Sequence, residues 1–84
     1  MINFLYNNFK SRTKLFILKT DIKTKKKVKA IRPFLNNHSG IIKWTIDIED
    51  IDNVLKIEAS DYLTEHDIID KIKAQGFYCD ALED

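Results

Sequence analysis

The chain has 84 residues, 44% of them hydrophobic and 32% charged, and a formal net charge of +1. That length allows one domain that buries about 60% of the surface its unfolded chain exposes, so the core must be small and regular. A lone cysteine, Cys79, excludes an internal disulfide and a cysteine-framed zinc site, and no apolar run nears the ~18 residues of a membrane span.

Residues 1–14 place Ile2, Leu5, Tyr6 and Phe9 at helical spacing ahead of Lys10, Arg12 and Lys14. This predicts a short amphipathic N-terminal extension lying on the domain, marginal as an isolated helix and without the pattern of an export signal. A reducing, cytoplasmic location and a soluble protein are the expectation. Leu15-Phe16-Ile17-Leu18 reads as a central strand. After it, Thr24 is placed to cap a helix over residues 24–36 whose buried stripe is Val28, Ile31 and Leu35, with Pro33 loosening its last turns.

Ile42, Trp44, Ile46 and Ile48 alternate with Lys43, Thr45 and Asp47, which predicts a strand with those four side chains facing inward. Residues 49–53 read as a hairpin tip, and Leu55, Ile57 and Ala59 as the inward face of the returning strand. Thr64-Glu65-His66-Asp67 has the form of a capping box, with Leu63 and Ile68 placed as a hydrophobic staple. Ile68, Ile69 and Ile72 then carry the helix's buried stripe, Gly76 suits a left-handed stop, and residues 77–82 read as the last strand.

Strand, helix, strand, strand, helix, strand over residues 15–84 predicts an α+β, ferredoxin-like βαββαβ sandwich, with a four-stranded antiparallel sheet and two helices on one face. Crossover rules place the Thr20–Lys27 joint, the hairpin and the Gln75-Gly76-Phe77 turn at one end, and the loops holding His38 and His66 at the other. Ile17, Val54, Tyr78 and Leu82 are expected on the helix-free face, where the N-terminal extension would cover them.

Charge is divided along the chain. Residues 1–43 hold 11 Lys and Arg against Asp21 alone, whereas residues 44–84 hold Lys56, Lys71 and Lys73 against 12 acids. Such halves either neutralise each other or present two faces. Lys23, Lys25, Lys26 and Lys27 crowd a helix start, where the backbone dipole already disfavours cations and free amides favour an anion. Compensation by Glu49, Asp50 and Asp52 competes there with an external acidic partner. Nucleic acid is disfavoured, because no aromatic residues interleave the lysines.

From about Phe16 to Leu82 the chain resembles the heavy-metal-associated (HMA) domain of copper chaperones and metal-transporting ATPases. The resemblance rests on Val28-x-x-Ile31-x-x-x-Leu35, on Gly40-Ile41-x-x-Trp44-x-Ile46-Asp47-Ile48-Glu49, and on Asp67-Ile68-Ile69-x-x-Ile72-x-x-x-Gly76-Phe77. It implies a Met-x-Cys-x-x-Cys metal loop before the first helix, but counting back from Val28 puts Lys27 and Thr24 at the two cysteine positions and Ile22 at the methionine position. Neither an ammonium nor a hydroxyl replaces a thiolate for a soft metal, and the crowded lysines repel a cation. The turn also counts one residue longer than the family's.

Other chemistry is sparse. Cys79, flanked by Phe77 and Ala81 on its side of the last strand, reads as a buried structural thiol and only a weak metal ligand. His38 and His66, with Asp61 or Asp67, lack a metal-binding spacing and read as surface histidines. Ser39 and Ser60 have no spaced His/Asp partners, and Gly40 and Gly76 form no phosphate-cradling loop, so an enzyme is not expected.

The expectation is therefore an HMA-like domain without its thiolate pair and without a cofactor. It would act as a non-catalytic protein-binding or regulatory module through Lys23, Thr24, Lys25, Lys26, Lys27 and Phe77. In the metallochaperones it resembles, that end docks an ATPase domain of the same fold. The resemblance thus implies an acidic protein surface or another domain of the same fold as partner, a second copy included. The alternative is copper or zinc binding with non-family ligands such as Cys79.

Overall fold

The structure, a computed structural model, describes residues 13–83, over which two helices alternate with four strands in the expected order. β1 spans Thr13–Thr20 and starts inside the stretch read as the N-terminal extension. Its apolar run divides by alternation: Phe16 and Leu18 are buried on one side, while Leu15 and Ile17 are exposed on the other. The amphipathic pattern of Ile2, Leu5, Tyr6 and Phe9, and its expected packing, lie outside the described residues.

α1 spans Lys25–Asn37 and begins where expected, with the Thr24 hydroxyl accepting from the Lys27 amide at 3.1 Å. It runs through Pro33, which is exposed, and buries Ile31 and Leu35. β2 (Ile41–Ile46) and β3 (Leu55–Ser60) form the hairpin, α2 spans Glu65–Ala74, and β4 is the short Cys79–Ala81. In the capping box, the Thr64 hydroxyl accepts from the Asp67 amide at 3.1 Å, but the Asp67 carboxylate turns instead to Lys71 at 3.2 Å. Gly76 follows α2 at φ +97°, a conformation that side chains with a Cβ rarely adopt.

The sheet order is β2-β3-β1-β4 with every neighbouring pair antiparallel. Phe16 opposite Ile57, Leu18 opposite Leu55, and Thr20 opposite Cys79 fix the register. Leu18, Leu55, Ile57, Ala59 and Cys79 share one core with Ile31 and Leu35 of α1 and Ile68, Ile69 and Ile72 of α2. Both helices therefore cover one face, the ferredoxin-like arrangement. On the opposite face Ile17, Val54 and Leu82 line a shallow groove of about 630 Å³.

β2 departs from the sequence pattern. Its register with β3 shifts between Ile41 and Lys43, so Ile41, Trp44 and Ile46 pack against the core and Ile42 is 54% exposed. A bulge inserts one residue and reverses the side on which everything before it falls, which strict alternation misses. Ile42 is thus not an inward residue, and Ile48 lies beyond the strand's end.

Candidate functional site

The basic joint, the hairpin and the turn before β4 meet at one end of the sheet, held by backbone. The Thr20 amide donates to the Asp52 carbonyl at 3.0 Å. The buried Thr20 hydroxyl donates to the Asn53 carbonyl at 2.7 Å and accepts from the Ile22 amide at 3.1 Å. Ile22, at the methionine position of the family loop, is fully buried and plugs the joint into the core.

Asp21, the one acid in the basic half, organises the remainder. One of its carboxylate oxygens accepts from the Tyr78 amide at 3.0 Å, tying the joint to the turn that carries Phe77. Its other oxygen lies 3.9 Å from the Lys27 ammonium, which also donates to the Asp21 carbonyl at 3.3 Å. Lys27 is therefore tethered and half-exposed, whereas Lys23, Thr24, Lys25 and Lys26 are exposed. Phe77 is half-buried against the core.

The hairpin acids do not pair with these lysines. Among the described residues, no ion pair within 4.0 Å joins Lys23, Lys25 or Lys26 to Glu49, Asp50 or Asp52. Two of the loop's carboxylates are turned onto their own backbone instead: Asp47 accepts from the Glu49 amide at 3.0 Å, and Asp50 from the Asp52 amide at 2.8 Å.

Thr20, Asp21 and Asn53 fall within the joint and hairpin expected at this end, but the sequence pattern assigns them no role in holding it together. Asn53 sits at φ 44°, buried, with its side-chain amide donating to the Ile48 and Asp50 carbonyls at 3.2 and 3.0 Å. Asparagine tolerates this left-handed conformation better than most side chains, and an Asn closing an acidic turn was the available signal. Asn53→Ala should cost about 1–3 kcal/mol, from the part-buried Ile48 carbonyl losing its side-chain donor and a strained backbone, while the Asp50 carbonyl keeps the Asn53 backbone amide at 3.0 Å. Asn53→Gly, which relieves the backbone alone, should cost less, and urea denaturation of both variants checks the order.

The other candidates stand apart. Cys79 is fully buried, and burial, reinforced by neighbouring Asp80, pushes its thiol up to about 12. A thiol held protonated is a poor anchor for a soft metal. His38 accepts from the Gly40 amide through Nδ1 at 2.9 Å and meets Phe34 edge-on. His66 instead lies 3.2 Å from Asp70 along α2, so the two histidines have separate partners. Among the described residues no group of three or more His, Cys, Asp or Glu is placed to hold a metal ion, and no helix is long and apolar enough to cross a membrane. In comparisons with known proteins, no protein-family model, no curated protein and no solved structure matches the chain.

Proposed function

We propose that this domain is a non-catalytic protein-binding or regulatory module, an HMA-like scaffold without the thiolate pair, acting through its basic loop end on an acidic protein surface. The observation that carries this reading is the set of exposed lysines, Lys23, Lys25 and Lys26, which the adjoining acidic hairpin leaves without ion pairs. Three cations held at the start of a helix, against the sign of its dipole, lower stability, so their value lies in what they attract. A partner domain of the same fold with an acidic loop end is the concrete form.

The test is Lys23→Glu/Lys26→Glu, which spares the tethered Lys27 and also Lys25, whose side chain borders a second groove. Acids in place of these cations near the start of α1 should raise stability by about 0.3–1 kcal/mol each, so loss of binding cannot be laid to unfolding. Affinity capture from source-cell extract, with mass spectrometry, should recover an acidic partner with the wild type. The double variant and raised salt should both lose it. Capture unchanged by the double variant would remove the reading.

A further inference from the structure

Beyond the joint, the outer side of α1 forms one wall of a second surface. Lys25, Lys29 and Arg32 recur four and three residues apart, along one side of the helix. With Val28, Ile46 and Ile48 they line a groove of about 330 Å³ between α1 and the end of β2. β2 is an edge strand, so this side of the sheet is unpaired. All three cations are exposed, and none has an ion-pair partner within 4.0 Å among the described residues. The groove selects a definite ligand: an apolar side chain for its floor, flanked by carboxylates for its rim.

The chain displays that ligand on its own surface. Ile51, at the hairpin tip, is 94% exposed, the most exposed large hydrophobic side chain among the described residues, and Glu49, Asp50 and Asp52 surround it in sequence. None of these three acids is ion-paired among the described residues. Leaving an isoleucine in water forgoes the favourable burial of its side chain, and nothing within the described chain recovers it.

We infer that the occupant of the groove is a second copy of this chain, with Ile51 of each copy seated on Val28, Ile46 and Ile48 of the other and the tip acids facing Lys25, Lys29 and Arg32. Tip and groove are neighbours, since Ile51 follows Ile48 by three residues. A two-fold axis passing between them satisfies both contacts at once, the closed arrangement in which residue i meets j and j meets i. The inference rests on the reading of the domain as a protein-binding module. Its test uses positions outside Lys23 and Lys26, so either idea can fail while the other stands.

Sedimentation equilibrium of the full chain over micromolar to millimolar concentration provides the test. The wild type should dimerise reversibly, less so in high salt. Ile51→Ser, Lys29→Glu/Arg32→Glu and Glu49→Lys should each weaken the dimer about 10-fold or more. All four positions are exposed, so these variants should keep the wild-type circular dichroism. Mixing Lys29→Glu/Arg32→Glu chains with Glu49→Lys chains should restore a heterodimer, because each acidic element then meets a basic one. A wild type that stays monomeric overturns the proposal, including one that binds a synthetic acidic peptide in the groove instead. So does a dimer that these variants leave unchanged, or a mixture that fails to pair.

Discussion

Iodoacetamide should leave Cys79 almost untouched in the native protein at pH 8 and modify it readily once the chain is unfolded. The thiolate is the reactive species, and a shift from 9.0 to about 12 removes roughly a thousandfold of it. Full burial between β1 and α2 adds a barrier of access. The same shift makes stability depend on pH. Because the folded-state value lies above the unfolded one, the stabilising contribution is complete below pH 9 and is lost as pH rises toward about 12. The slope contributed by this group is about 1.4 kcal/mol per pH unit. Comparing urea unfolding of the wild type and Cys79→Ala between pH 8 and pH 11 isolates this group's contribution from that of the rest of the protein. A native thiol that labels as fast as the unfolded one would contradict the packing of β4.

Leu18→Ala should destabilise the domain by about 2–5 kcal/mol, and Leu15→Ala, three residues earlier in the same strand, by no more than about 0.5 kcal/mol. Leu18 is fully buried opposite Leu55, so truncation opens a cavity at the centre of the core, whereas Leu15 is 62% exposed on the other face. For a domain of this size each kcal/mol moves Tm by roughly 4–8 °C, which thermal unfolding resolves easily. Equal effects would mean that the open face is not open, and would place a covering element over Leu15.

These two leucines also show how far the sequence was legible. The run from Leu15 to Leu18 has no polar interruption, so it announces a strand while concealing which side chains face the core; only the register with Ile57 and Leu55 decides that. Element order was readable because its signals are local: Thr24 and Thr64 at helix starts, Gly76 at a helix stop, and isoleucines at helical spacing in α2. Ile42 was misplaced because a bulge is a property of two strands together, and β2 alone carries no mark of it. At the loop end, the lysines were visible as a charge run, but Asp21 and Thr20 act across 57 and 33 residues of sequence, on Tyr78 and Asn53. No window along the chain contains such pairs.

β4 is three residues long and sits at the sheet's edge, joined to β1 over Leu18, Lys19 and Thr20 and by the Leu82 amide to the Ile17 carbonyl at 3.0 Å. So short an attachment can detach without dissolving the rest, at a free energy below that of global unfolding. Cys79 lies within the piece that would leave. Its slow residual labelling then becomes a clock for that single excursion, and the ratio of its rate to that of the unfolded thiol gives the fraction of time the strand spends away from the sheet.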